Sequence, residues 1–184
     1  DGTVTVKFTE GEGDNERTYL AHSSADAMGR NSGKTLIKQT GENAVTLLEY
    51  LFTYRSKIVG DTLLQSGIVS NFRINLPGTQ FKNFSYEYDH NGNIKSISDG
   101  TSTVSYEYDA LGQLIRENNG FIGKTITYTY DDGGNILSKS EYAYTTSETL
   151  GTAVSVKNYG YSNNDWKDLL TSYNGQTITY DAIG

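Results

Sequence analysis

The sequence has no cysteine, a single proline, a single methionine and two histidines. Without thiols there is neither a disulfide scaffold nor a thiol nucleophile. His22 and His90 stand in unlike contexts with no His-x-x-x-His pairing, so a zinc site has nothing to be built from, and no metal or other cofactor is expected. Long apolar runs are missing too. No stretch approaches the roughly eighteen residues that a membrane-spanning helix needs, and membrane insertion is not expected. Basic residues are in deficit, 15 Lys and Arg against 22 Asp and Glu, and the net charge of −7 comes with no basic cluster. That balance argues against nucleic acid or an anionic membrane as a partner. Apolar residues make up only 35%, and the helix-favouring Ala, Leu and Met are sparse.

What is abundant is glycine, with 20 residues, and tyrosine, with 15 against 6 phenylalanines. This is the composition of an all-β, turn-rich chain. The tyrosines are ordered. The pattern Tyr-x-Tyr-Asp-x-x-Gly-x-(Ile/Leu) appears at Tyr86-Glu87-Tyr88-Asp89, returns at Tyr106-Glu107-Tyr108-Asp109 and again at Tyr128-Thr129-Tyr130-Asp131. A damaged copy starts at Tyr159, and a shortened one begins at Tyr180-Asp181. The second tyrosine falls at 88, 108, 130, 161 and 180, spacings of 20, 22, 31 and 19, which is an internal repeat.

Tyr86 and Tyr88 are two residues apart and share one face of an extended strand, as do Val104, Tyr106 and Tyr108, and Ile126, Tyr128 and Tyr130. The Asp-x-x-Gly that follows suits a type I turn: Asp89 or Asp109 accepts backbone N–H groups, and Gly92 or Gly112 takes a left-handed conformation. Each repeat is therefore predicted to be a β-hairpin, its second strand beginning at Ile94, Leu114 or Ile136. A lone hairpin is marginal in water, so successive hairpins are predicted to lie edge to edge in one growing antiparallel sheet. Tyrosine in place of phenylalanine implies a face that is partly hydrated.

Read in order, residues 1–9 alternate as a strand, with Val4, Val6 and Phe8 on one face, and a polar loop follows over 10–17. Asp26-Ala27-Met28-Gly29-Arg30 echoes the repeat turn although no tyrosine pair precedes it. Gly29-x-x-x-Gly33-Lys34-Thr35 resembles a P-loop with one residue too few between its glycines. Residues 44–52 fit either a strand or a short helix, as do 63–74. Pro77-Gly78 marks a turn, and the texture changes near residue 80, dividing a region of degenerate hairpins (1–80) from the regular repeats (81–184). Tyr142, Tyr144, Val154 and Val156 continue the alternation around an insertion over 145–151, read as a longer hairpin loop. In the fourth repeat Asn163-Asn164-Asp165-Trp166 replaces the regular turn, and Trp166 is expected to pack beside Leu169 and Leu170. Asn174-Gly175 signals a tight turn. The sequence opens at Asp1 without a signal peptide and stops within a motif at Gly184, as expected of a segment of a longer protein.

Little in this inventory supports catalysis. The recurring Asp89, Asp109, Asp131 and Asp181 each start a turn, and a glycoside hydrolase would need two carboxylates facing each other at about 5 to 9 Å. Asp89-x-Asn91-Gly92-Asn93 has its glycine too early for an EF-hand, and no glutamate follows at the twelfth position. There is no Gly-x-Ser-x-Gly elbow, and His90 holds a variable turn position. Asn83-Phe84-Ser85 is formally a glycosylation sequon.

The motifs running from Tyr86 to Ile94 and from Tyr106 to Leu114, together with Tyr180-Asp181-Ala182-Ile183-Gly184, resemble the YD repeats of Rhs proteins. The stretch 166–175, followed by 178–184, is similar to the end of the repeat region in wall-associated or secreted Rhs proteins of Gram-positive bacteria; the animal teneurins and the insecticidal toxin complexes use related repeats. The resemblance implies a spiralling β-sheet wound into a hollow shell that encloses a C-terminal toxin or presents a tip domain. The tyrosines would line its inner side and the turns its rim. It further implies a non-catalytic role, a secreted or cell-surface location in a bacterium, and two partners: the rest of the same polypeptide shell and the enclosed toxin. The lost glycine of the fourth repeat and the insertion after the third depart from the pattern. The alternative reading is a binding module in which exposed aromatics, Trp166 and Tyr173, hold a cell-wall glycan. Open sheet edges and an uncovered aromatic face also predict edge-mediated self-association.

Overall fold

The computed structural model describes residues 2–11, 13, 16–76, 78 and 81–181. Pro77, half of the turn read at 77–78, and Ala182, Ile183 and Gly184 of the last motif lie outside the described residues. Among the described residues there is no α-helix. The strands are β1 (Gly2–Glu10), β2 (Arg17–Ala25), β3 (Asn31–Thr40), β4 (Asn43–Val59), β5 (Thr62–Asn75), β6 (Lys82–Tyr88), β7 (Ile94–Ser98), β8 (Thr103–Tyr108), β9 (Leu114–Asn119), β10 (Lys124–Tyr130), β11 (Ile136–Ala143), β12 (Ser155–Gly160), β13 (Ser172–Tyr173) and β14 (Gln176–Thr177). They form one sheet in strict chain order, each strand beside the next, with β1 and β14 left as open edges. The all-β hairpin architecture expected from the repeat is therefore the architecture observed. The chain divides into two compact units, residues 1–87 and 88–184.

In the first unit Val4, Val6 and Phe8 stand opposite Ser23, Ala21 and Tyr19, and Phe8 stacks on Tyr19 with ring centres 4.8 Å apart. The segment that fits either helix or strand, 44–52, is strand: Leu48 pairs with Leu36 of β3 on one side and Phe52 with Phe72 of β5 on the other. Its aromatic and branched residues suit a half-buried pleated surface, and pairing on both sides outweighs any local helical preference. Residues 63–74 are likewise strand, within β5. Tyr50, Phe52, Phe72 and Phe84 form an aromatic cluster across three strands, Phe52 and Phe72 lying 5.1 Å apart and Phe72 and Phe84 6.3 Å apart. Gly33, Lys34 and Thr35 lie within β3, and a strand continues where a P-loop requires a helix. Gly33 has a packing reason instead. A Cβ there would stand 2.7 Å from the Tyr50 carbonyl oxygen and from Leu51 Cδ2.

In the second unit β8, β9, β10, β11 and β12 pair in sequence. Val104 and Ile126 are its buried apolar residues, both on the tyrosine face, and they are the only ones among the described residues. Burial on the opposite face is polar: Thr125 is fully buried, and Asn118 and Arg116 are nearly so. What covers them is the insertion. Although residues 145–151 join β11 to β12 as a hairpin loop would, they do not stand off from the sheet. They fold back over it, and the Thr145 N–H and carbonyl are both bound by Thr125 Oγ1 at 2.9 Å. Trp166 also departs from expectation. Rather than packing beside Leu169 and Leu170 it is 60% exposed, because Asn163 Oδ1 accepts the N–H groups of Asp165 and Trp166 and turns the chain outward before the leucines.

Candidate functional surface

The regular turns share one construction. Asp89 Oδ1 accepts the N–H groups of Asn91 and Asn93, the Gly92 N–H donates to the Asp89 carbonyl, and the Asp89 N–H donates to the Asn93 carbonyl. Asp109 and Asp131 hold the same set, at Leu111 and Gln113 and at Gly133 and Asn135. The closing glycines Gly92, Gly112 and Gly134 have φ of 89°, 78° and 89°. The construction appears a fourth time in the first unit, where Asp26 Oδ1 accepts from Met28 and Arg30 and Gly29 has φ of 76°. The residue after the glycine also returns a side-chain N–H to the second carboxylate oxygen: Asn93 to Asp89, Asn135 to Asp131 and Arg30 to Asp26. These bonds hold the Asp26, Asp89 and Asp131 carboxyls below the usual range. Carboxylates so engaged are turn anchors, and their oxygens are not poised as an acid and base pair.

In three of the motifs the second tyrosine reads the preceding turn. Tyr108 Oη donates to the Ile94 carbonyl at 2.8 Å, and Tyr130 Oη donates to the Leu114 carbonyl at 2.7 Å, in each case the first residue after the earlier turn. Tyr180 does the same to Leu170 at 2.7 Å, even though the turn before Leu170 is irregular. In the first unit Tyr54 Oη donates to the Asn31 carbonyl at 2.6 Å, again the first residue after its turn. The Arg30 guanidinium lies 4.2 Å over the Tyr54 ring and donates to Gln65 Oε1 and to the Ser66 carbonyl. Burial, and then the aspartate of the preceding turn, raise the Tyr108, Tyr130 and Tyr161 phenols above their ordinary pKa; the aspartates are Asp89, Asp109 and Asp131.

Tyr86 and Tyr88 on β6, Tyr106 and Tyr108 on β8, and Tyr128 and Tyr130 on β10 are all half-buried, whereas Glu87, Glu107 and Thr129 between them are exposed. The tyrosine face of the second unit is mixed in chemistry. Register places Glu117 opposite Tyr106, Glu141 opposite Ile126, and Lys139 opposite both Tyr128 and Lys157. Lys124 Nζ lies 2.5 Å from Glu141 Oε2. Tyr173 packs on Tyr159 with ring centres 5.3 Å apart, and its phenol, interacting with the Lys157 ammonium, raises that lysine's pKa. Tyr173 and Trp166, paired in the glycan reading, thus differ: Tyr173 is half-buried in this face and Trp166 projects into solvent. Asp181 is exposed beside Tyr180, His90 is exposed in its turn, and among the described residues no group of three His, Cys, Asp or Glu forms a metal site.

The buried polar cluster beneath the insertion is the feature that the repeat pattern did not reveal. Arg116 Nε donates to Asn118 Oδ1 at 2.9 Å, while Arg116 Nη2 donates to the carbonyls of Thr145 and Ser147 at 3.2 and 2.6 Å. Asn118 Nδ2 reaches Ser105 Oγ. Aligning the repeats on Ile94, Leu114 and Ile136 puts Arg116 where the sister strands have Ser96 and Ser138, and Asn118 where they have Ser98 and Ser140. That departure in residue size was the available signal.

Residues 88–121, from the end of β6 through both turns to the residues beyond β9, match the RHS Repeat family. No curated protein matches the chain.

Proposed function

We propose that the chain is a non-catalytic, shell-building segment of a YD-repeat protein, whose tyrosine face lines an interior that encloses or presents a C-terminal toxin or effector. One observation carries this reading: the recurring bond from a tyrosine hydroxyl to the carbonyl after the previous turn. A sheet in which one hairpin after another is fastened in the same way to the one before it grows by a set increment, which is what building a wall requires. The RHS Repeat match over 88–121 supports the same assignment, and with it a secreted or cell-surface bacterial setting. The partners are then the remaining repeats of the polypeptide and the cargo they surround. Cryo-electron microscopy of the complete polypeptide, combined with limited proteolysis, tests this. A hollow particle whose C-terminal part resists protease is the expected result, and an extended, fully digestible chain would overturn it.

Trp166 supports a second reading, a glycan-binding module, since an indole 60% exposed is available for stacking on a sugar ring. It is the sole tryptophan, so its fluorescence reports on that site alone. A saturable shift in Trp166 emission on titration with cell-wall polysaccharide, lost in Trp166→Ala, favours the module. An unchanged spectrum removes it.

A further inference from the structure

The tyrosine face of the second unit carries a charge arrangement that the repeat does not require. Lys139 and Lys157 are direct cross-strand partners, and like charges so placed destabilise a sheet. Counted from the first residue after the turn, Lys139 occupies the position of Ile97 and Glu117, so strand pairing there does not demand a cation. The one carboxylate that acts on both, Glu141, is shared with a third cation: its Oε2 lies 2.5 Å from Lys124 Nζ, so one anion serves three ammonium groups. Among the described residues Lys139 has no hydrogen bond or ion pair. Tyr128 stands opposite Lys139, and Tyr159 and Tyr173 frame Lys157.

We propose that Lys139 and Lys157, framed by Tyr128, Tyr159 and Tyr173, form an anchoring site for a carboxylate of a polypeptide laid against the tyrosine face. That the occupant is a polypeptide rests on the reading of this face as the lining of an interior; the anion site itself stands on the paired ammonium groups. Two ammoniums on adjacent strands converge on one anion, and the phenol groups beside them supply further donors. The framing rings are half-buried, and Tyr159 and Tyr173 pack on each other at 55°, so no ring lies open as a sugar platform. The net charge of −7 repels extended polyanions, which leaves an isolated carboxylate as the matching chemistry.

The test is calorimetric titration of the full chain with a short, end-capped peptide carrying a single glutamate at low salt, with monomeric galacturonate run in parallel. The unmodified chain is expected to bind the peptide and to lose affinity with added salt. Lys139→Ile combined with Lys157→Gln is expected to weaken binding about tenfold or more, while Lys7→Gln with Lys57→Gln, exposed lysines of the first unit, leaves it within about twofold. Lys139→Ile alone is expected to raise the melting temperature by relieving the repulsion. Absence of peptide binding, an equal loss in both double variants, a preference for galacturonate, or a lower melting temperature in Lys139→Ile would each overturn the site. A hollow particle seen by microscopy alongside any of those results would leave the shell reading intact and remove only the anchor.

Discussion

At the scale of single residues, the tyrosine hydroxyls and the turn glycines carry separable duties. Tyr108→Phe and Tyr130→Phe keep the ring on its face and delete only the bond to Ile94 or Leu114, so each is expected to cost about 1 kcal/mol in a urea melt. Tyr54→Phe should cost the same, because its bond to Asn31 has the same construction although no tyrosine motif announces it. Gly112 answers to backbone conformation alone. Its φ is 78° and an added Cβ would meet nothing within 4 Å. Gly112→Val should therefore destabilise by about 1 to 2 kcal/mol, and Gly112→Asn distinctly less, because asparagine tolerates the left-handed region. His90→Ala, at an exposed turn position, should stay within about 0.5 kcal/mol. Equal melting temperatures for Gly112→Val and His90→Ala would contradict this account of the turn.

At the scale of elements, the insertion between β11 and β12 is held by hydrogen bonds where the rest of the sheet relies on its ladder. Thr125→Val removes the hydroxyl that binds both the N–H and the carbonyl of Thr145; the carbonyl keeps Arg116 Nη2, and leaving the N–H unpaired is expected to cost about 1 to 3 kcal/mol. Amide exchange at Thr145 should accelerate strongly in that variant, with exchange in β8 little changed. Uniform acceleration would show that the cluster belongs to the core and does not act as a local clamp. Hairpins with Asp-x-x-Gly were legible in the sequence because a turn is decided within five residues, and Asn174-Gly175 was legible for the same reason, with φ of 50° and 78° in a two-residue turn. The clamp was not legible, because Arg116 and Thr125 find their partners 20 to 31 residues away, where local pattern carries no information. Proximity in sequence to Leu169 and Leu170 does not decide the packing of Trp166, because Asn163 directs the chain away. The strand character of 44–52 waited on its neighbours, since only pairing with β3 and β5 separates strand from helix in a short apolar run.

At the scale of the molecule, stability should be bounded by pH on both sides. Asp26, Asp89 and Asp131 have lowered pKa values in the fold, so the unfolded chain binds more protons in acid; their contribution is present above about pH 4 and is lost as pH falls through the lowered values. Tyr108, Tyr128, Tyr130 and Tyr161 have raised values. Their contribution is present below about pH 10 and is lost as pH rises through the raised values, because the unfolded chain ionises first. Denaturant midpoints measured across pH should therefore form a plateau falling away at both ends, and Asp89→Asn should shallow the acid side. A midpoint that rises toward acid would contradict the turn electrostatics.

The tyrosine-to-carbonyl bonds join residues only 14, 16 and 10 positions apart, and each reaches back to a hairpin already made. A repeat that makes this bond checks the alignment of its predecessor: a strand slipped by one residue would turn its tyrosine to the wrong side and lose the bond. Such a chain can be proofread as it emerges, one hairpin at a time, from a ribosome. The sheet needs no completed whole to guide it, because its order of synthesis is its order of assembly.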